Sequence, residues 1–258
     1  MYETIMYESS GGVATITLNR PDSLNSINRQ MVYDLSGAFN KCRDDGGIRC
    51  VVLTGAGRGF CAGADLSAGS IKNPDDISRT LKERYNPVIK SIREMEKPVI
   101  AAVNGVAAGA GCNMALACDL VIAAGSAIFV QAFVRIGLVP DAGGSYFLPR
   151  LVGPKKAMEM ALLGEKISAA EAERLGMINR VVPDGEFAAE VKKLAARLAS
   201  GPSCQGMIKA MFTRSLEMNL DGCLEMEAGF QAKAAATEDF VEGVSAFLQK
   251  REAVFKGK

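Results

Sequence analysis

Hydrophobic and polar positions along the chain divide it into two unequal parts. Val13 to Leu18 alternates small polar with branched apolar residues, the period of a half-buried strand, and Asn19-Arg20-Pro21-Asp22 ends it. Met31, Leu35, Phe39 and Cys42 then recur at helical spacing, with Asn28 placed as an N-cap. Cys50-Val51-Val52-Leu53-Thr54 is a short unbroken apolar run, which predicts a strand buried on both faces. Gly55-Ala56-Gly57-Arg58-Gly59 reads as the loop behind it. Lys82 to Glu96 has the pattern of an amphipathic helix closed by Lys97-Pro98, and Val99 to Val103 predicts a second buried strand. Asn104 to Gly111 leads into a small-residue helix through Leu116. Leu120 to Ala123 and Ala127 to Val130 read as further strands.

From Pro154 onward the pattern is mostly helical: Ala157 to Leu163, Ser168 to Leu175, Phe187 to Ala199, Gln205 to Leu220 and Thr237 to Leu248. Ser168 and Glu171 have the spacing of a capping box. Alternating strands and helices followed by helices alone predict an α/β core with a helical appendage. With 258 residues, 48% of them apolar, the chain can fill one large core of this kind.

Charge narrows the partners. The 30 basic and 29 acidic residues leave a formal charge of +1, which provides no overall field for nucleic acid or an anionic membrane. The most apolar tract, Leu120 to Val134, is interrupted by Gly125, Ser126 and Gln131 and is too short to span a bilayer. The seven cysteines are scattered, form no Cys-x-x-Cys pair and have no histidine to complete a zinc site, so no metal is expected. The start, Met1-Tyr2-Glu3, lacks the pattern of a secretory leader. The expectation is a cytoplasmic protein with reduced thiols, binding neither nucleic acid nor membrane.

The lack of histidine leaves proton chemistry to carboxylate, lysine, tyrosine or cysteine. Asp141 is the only carboxylate between Ile128 and Gly144, in an apolar, glycine-flanked stretch. It is a candidate proton shuttle. Pro140-Asp141 is equally a start signal for a helix from Ala142, so the residues alone leave both roles open. Two glycine-rich turns each follow a buried strand. A dinucleotide fingerprint would need glycine at positions 60 and 114, which are Phe60 and Met114, and the only Gly-Lys pair is Gly257-Lys258 at the end. Such turns can instead aim backbone N–H groups at one ligand atom, one from Ala62-Gly63-Ala64-Asp65 and one from Gly109-Ala110-Gly111, as an oxyanion hole. They can also simply let a helix pack tightly on a strand.

Four blocks then stand together in order: Leu18-Asn19-Arg20-Pro21 with Leu24-Asn25, Phe60 to Leu66, Lys97 to Gly105, and Gly109-Ala110-Gly111-Cys112. Over nearly its whole length the chain resembles the enoyl-CoA hydratase/isomerase (crotonase) superfamily. The resemblance implies a crotonase-type spiral of β-β-α units over residues 1–200, which binds acyl-CoA and carries catalysis. It implies a C-terminal helical trimerisation region over 201–258, with a homotrimer or dimer of trimers. The implied substrate is a coenzyme A thioester, with no cofactor beyond the coenzyme A it carries. The N–H groups of Ala64 and Ala110 would hold the thioester oxygen, and Arg20, Ala62, Gly63, Asp65, Leu66, Phe133 and Lys258 would complete the binding set, Arg20 and Lys258 toward the nucleotide end. Asp65 is expected to organise its own loop by bonding nearby backbone N–H groups. Cys61 and Cys112 read as small buried residues. The acyl pocket is expected from Ser67 to Pro87.

Departures from the family pattern decide the expected reaction. Hydratases of the family carry two glutamates, and their positions hold Asn113 and Phe133 here. Simple hydration and two-acid dienoyl isomerisation are therefore not expected. Asp141 falls at the acid position of the family's ring 1,2-epoxyphenylacetyl-CoA isomerases, which Arg84-Tyr85-Asn86-Pro87, Gly243 to Leu248, Phe255 and Gly257-Lys258 also resemble. That implies conversion of a ring epoxide to an oxepin thioester in phenylacetate breakdown, or a shift of a 3-enoyl double bond to position 2. The alternatives are a dehalogenase or hydrolase with Asp141 as nucleophile, a weak hydratase, and a non-catalytic or RNA-associated relative. The dehalogenase reading lacks its histidine and tryptophan, and the balanced charge counts against RNA.

Overall fold

The computed structural model describes residues 2–66 and 74–258. Its strands and helices run β1 (Ile5–Ser10), β2 (Val13–Leu18), α1 (Arg29–Asp44), β3 (Cys50–Gly55), β4 (Gly59–Cys61), α2 (Pro74–Thr80) and α3 (Asn86–Glu94). Then come β5 (Val99–Val103), β6 (Val106–Ala108), α4 (Ala110–Ala117), β7 (Leu120–Ala124), β8 (Ile128–Val130), α5 (Gly144–Val152) and α6 (Pro154–Leu163). The chain ends with β9 (Lys166–Ser168), α7 (Ala169–Arg174), β10 (Arg180–Val182), α8 (Phe187–Ala199), α9 (Cys204–Ser215), α10 (Leu220–Ala235) and α11 (Glu238–Gln249).

Two sheets are threaded alternately. One has the order β1-β2-β3-β5-β7-β10 and the other β4-β6-β8-β9. Each of β3, β5 and β7 in the larger sheet is followed by a short strand of the smaller sheet and then by helix, so the chain repeats a β-β-α turn. In the larger sheet only β1 runs antiparallel to its neighbour. This is the crotonase-type α/β spiral with C-terminal helices that the resemblance implied.

Burial explains the strand patterns. Every residue of β5 is buried, while β2 alternates as its sequence predicts. One face of the larger sheet, with Leu53 and Ala101, shares a core with α1, through Phe39, and with α4, and α3 packs on those two helices. The other is covered by α8, whose Val191, Ala195 and Ala199 pack on Val52, Ile100 and Ile122. Each such fully buried branched or aromatic side chain contributes about 1.5–3 kcal/mol. Asn28 caps α1 by accepting from the Met31 N–H at 2.9 Å.

Several expectations change. β1, an exposed edge strand, and the three-residue strands β4, β6, β9 and β10 were not predicted; β4 starts inside the stretch read as a loop. The helix expected over Lys82 to Glu96 is a wide π turn at Leu81–Tyr85 followed by α3. The helix expected over Gln205 to Leu220 stops at Ser215, and Asn219, accepting from the Gly222 N–H, starts α10. Half of the capping box forms: Ser168 accepts from the Glu171 N–H, but the Glu171 carboxylate takes the Arg174 guanidinium instead. No helix among the described residues is long and apolar enough to cross a membrane.

Candidate active site

A cleft of about 380 Å³ opens where the first residues of α4, the chain after β4 and the loop before α5 converge. Ala62, Gly63, Ala64, Asp65, Leu66, Ala110, Phe133 and Asp141 all line it. Arg20 and Lys258 do not. Part of the segment expected to form the acyl pocket, residues 67–73, lies outside the described residues; the rest supplies Ile77, Thr80, Leu81, Arg84 and Tyr85 to the wall.

Two backbone donors face this space. Ile27 pairs with Ala64 as an isolated parallel bridge, its N–H reaching the Gly63 carbonyl at 2.7 Å and its carbonyl the Asp65 N–H at 3.0 Å. In a parallel bridge both of those bonds belong to the flanking residues, so the Ala64 N–H points to the opposite side. Ala110 is the first residue of α4, where an α-helix leaves its N–H without an intrahelical acceptor and with the positive end of the helix dipole behind it. Gly63 brings the two strands of backbone together. It sits at φ +92°, and a Cβ there would stand 2.9 Å from the Ala108 carbonyl oxygen and 3.6 Å from the Ala110 nitrogen.

The packing alternative for these glycines also holds, at a different residue. A Cβ on Gly111 would fall 2.4 Å from the Cys61 carbonyl oxygen, so this glycine seats α4 on β4. The residues before it present the donor. Cys61 and Cys112 are wholly buried, and burial pushes both thiols up to about 12, leaving them protonated and inert at neutral pH.

Asp141 does not cap a helix with its side chain. Ala142 at φ +48° and Gly143 at φ +81° turn the chain, α5 begins at Gly144, and the Asp141 backbone carbonyl accepts the Gly144 N–H at 2.8 Å. The carboxylate is left free for the cleft. Its Oδ1 is buried with no hydrogen-bond partner among the described residues. Burial raises its pKa to about 6, and its own backbone N–H pulls weakly the other way. A non-glycine residue in the left-handed region directly after this acid is a strained position of the sort found at functional sites.

Asp65 has an ion-pair partner beside the local role expected of it. Its carboxylate takes the Arg20 guanidinium at 2.8 Å, and Arg20 also donates to the Ser26 carbonyl at 2.6 Å. An ion pair, rather than local backbone bonds alone, thus ties the loop that carries Ala64 to the end of β2. Lys258 is tied elsewhere: its carbonyl accepts the Asp239 N–H at the start of α11.

Three residues stand here that the pattern of the chain did not single out. Tyr85, at the end of the π turn, lines the cleft, and its hydroxyl donates to the Ile27 carbonyl at 3.4 Å. Its phenol pKa is pushed well above the usual range, first by burial and then by the negative charge of Asp141. Asn113 and Gln131 lie behind the Asp141 loop and bond each other at 2.8 Å. The one signal available for them was Asn113 at a position where the resemblance implied an acid.

With cleft, donors and acid in place, the comparisons with known proteins point the same way. Residues 8–258 match the enoyl-CoA hydratase/isomerase family. A protein of Rhodobacter capsulatus named probable enoyl-CoA hydratase is 48% identical over 258 residues, covering 100% of this chain and 99% of its own. The 1,2-epoxyphenylacetyl-CoA isomerase of Escherichia coli K12 is 45% identical over 262 residues, covering 100% of both. A solved enoyl-CoA hydratase subunit from Geobacillus kaustophilus superposes with a TM-score of 0.94 at 37% identity, covering 100% of this chain and 99% of its own. From Glu8 to its last residue, the chain belongs to the enoyl-CoA hydratase/isomerase family.

Proposed function

We propose that this protein is an acyl-CoA isomerase that moves a proton with Asp141 and holds the enolate oxygen with the N–H groups of Ala64 and Ala110. The observation that carries the reading is the Asp141 carboxylate, with one buried and unpartnered oxygen, in a largely apolar cleft lined also by two free backbone donors. Removing the proton from C2 of a thioester places charge on the carbonyl oxygen, and each donor of such a hole lowers the barrier by about 3–4 kcal/mol. For a 3-enoyl thioester, the Asp141 carboxylate takes the C2 proton, the electron pair spreads through the double bond as a dienolate, and the resulting carboxylic acid returns the proton at C4. The double bond ends between C2 and C3, and the acid is again ionised. A pKa near 6 brings base and substrate closer in basicity.

The favoured substrate is 2-(1,2-epoxy-1,2-dihydrophenyl)acetyl-CoA, rearranged to the oxepin thioester in phenylacetate degradation, with the 3-enoyl shift as a related activity. The 45% identity to the Escherichia coli isomerase supports this choice. Neither reaction requires a metal or a further cofactor. A second reading, hydration, is favoured by the name of the Rhodobacter capsulatus relative. It needs a second acid, and the two positions where the family places its glutamates hold a wholly buried Asn113 and the phenyl ring of Phe133.

The assembly in this reading is a homotrimer or a dimer of trimers. Phe247 and Leu248 of α11 are 82% and 74% exposed, beside an apolar groove of about 790 Å³ between α9, α10 and α11. A neighbouring subunit would cover them, and Lys258 would serve the nucleotide end of a neighbour's cleft. Sedimentation at micromolar concentration gives three or six copies if this holds.

The deciding experiment compares the native enzyme with Asp141→Asn on the ring epoxide, 3-hexenoyl-CoA and crotonyl-CoA in D2O. The variant should keep its fold and its thioester binding while its deuterium exchange at C2 falls by about 10²–10⁴-fold to a small residual rate. Full exchange in the variant would overturn the reading, and fast hydration of crotonyl-CoA by the native enzyme would move it to the hydratase.

A further inference from the structure

The first turn of α4 joins both halves of the site. Ala110 opens it with the free N–H, and three residues later Asn113 lies on the same side of the helix, wholly buried. The backbone N–H of Asn113 closes the turn onto the Gly109 carbonyl at 3.0 Å. Its side-chain Nδ2 donates to the Asp141 carbonyl at 2.8 Å, and its Oδ1 accepts from Gln131 Nε2 at 2.8 Å. Because a backbone carbonyl can only accept, the amide has its nitrogen on the Asp141 side, which leaves its oxygen for the Gln131 donor. Gln131, itself 1% exposed, comes from the segment between β8 and Phe133.

The same contact explains Gly144. A Cβ at that position would stand 2.2 Å from Asn113 Nδ2 and 2.7 Å from its Cγ, so any larger residue must push the amide away. The Asp141 carbonyl is thus held from two sides, by the Asn113 amide and by the Gly144 N–H, at the entry to a turn made of two left-handed residues.

We propose that Asn113 is a positioning residue: its side-chain amide, aligned by Gln131, fixes the main chain of Asp141 relative to the Ala110 N–H, so that base and oxyanion hole ride on one turn of α4. The inference rests on Asp141 being the base. It goes beyond that reading by assigning the position of a missing acid a duty of its own. An aspartate at 113 is nearly the same size but has no N–H, so in its ionised form one of its oxygens would face the Asp141 carbonyl oxygen, and kcat is therefore compared at the alkaline end of the pH range. A misplacement of about 1 Å in such a constellation costs about 10²-fold in rate.

The test measures kcat and KM on the substrate that Asp141→Asn stops turning over. Asn113→Asp should lower kcat by about 10- to 100-fold with KM within about threefold of native. Gln131→Met, which leaves the Asn113 amide free to rotate, should lower kcat in the same way but less, and serves if Asn113→Asp does not fold. Gly144→Ala should resemble Asn113→Asp, and the double variant should be no slower than the slower single one, since both act through the same contact. The decisive arm adds Asn113→Asp to Asp141→Asn and follows residual exchange. A positioning residue then costs less than about twofold further, because the group it positions is gone. An unchanged kcat in folded Asn113→Asp and Gln131→Met, or an equal loss with and without Asp141, would overturn the inference. Asp141→Asn alone reports separately on the reading beneath it.

Discussion

Asp119 and Asp141 are both carboxylates withdrawn from water, and only Asp119 has charged company. Its Oδ2 lies 2.7 Å from the Lys209 ammonium and accepts the Val99 N–H at 2.8 Å, while Arg93 stands 3.4 Å from Oδ1. Lys209 also donates to the Ile92 carbonyl at 2.6 Å and the Lys97 carbonyl at 3.1 Å, which fastens α9 to the corner between α3 and β5. Burial pushes Asp119 up and Lys209 down, and their mutual contact opposes both shifts. Asp141 has no cation to oppose its burial. The same withdrawal from water therefore yields a strut where a partner is supplied and a base where none is.

The largest expected effect tests the base. Asp141→Asn should lower turnover by about 10²–10⁴-fold, the usual contribution of a positioned general base, in an assay of double-bond shift or epoxide rearrangement. Asp119→Asn should leave turnover per folded molecule within about threefold of native. If both variants lost activity equally, the contrast between the two acids would be false.

Next in size is the strut. Lys209→Met leaves Asp119 buried opposite only the longer Arg93 contact, and removing one partner of a buried pair costs about 3–5 kcal/mol. Urea unfolding followed by circular dichroism measures it. A loss below about 1 kcal/mol would place this pair with exposed ion pairs and remove its structural role.

How far the sequence anticipated these two acids depends on how local their surroundings are. Asp141 stood out because Leu138, close to it in the chain, also lines its cleft, whereas Val139, read as part of the same apolar surroundings, is 79% exposed. The Ala64 and Ala110 donors are local in the same sense, being backbone groups of short motifs. Strands β2, β3 and β5 and helix α1 were legible from periodicity, since each is long enough to show one. Strands of three residues, such as β4 and β6, are too short for a period and exist because the larger sheet already holds their flanking chain. The Asn113, Gln131 and Asp141 contacts join residues 18 and 28 positions apart, which no window along the chain can display. Tyr85 reaches the cleft through a π turn whose pattern reads as ordinary helix.

A third effect reverses the sign of the second. The folded-state pKa of Asp141, about 6, lies above its ordinary 3.8, so the native state holds the proton more tightly than the unfolded chain does. Its favourable contribution is fully present below pH 3.8 and is lost as pH rises through about 6. Asp141→Asn does not titrate and escapes that loss. Relative to its value at pH 4, the stability difference in favour of Asp141→Asn should grow by about 2–3 kcal/mol at pH 8. Melting curves at the two pH values would show this as several degrees. A difference independent of pH would mean that Asp141 is hydrated in the folded chain.

The smallest effect locates the cause of the Asp141 shift. If burial in an apolar wall raises its pKa, the acid limb of kcat/KM in the native enzyme falls near pH 6, because only the ionised carboxylate can take a proton. Phe133 forms part of that wall, with its ring 3.7 Å from where a Cβ on Gly109 would stand. Phe133→Ala admits water to the carboxylate, favours its charged form and should move the limb down by about 1 pH unit, equivalent to about 1.4 kcal/mol. Lys209→Met should leave the limb in place, since the Asp119 pair is not among the causes of the Asp141 shift. A limb that follows Lys209 rather than Phe133 would tie the two acids together electrostatically, and the partnerless burial of Asp141 would no longer account for its basicity.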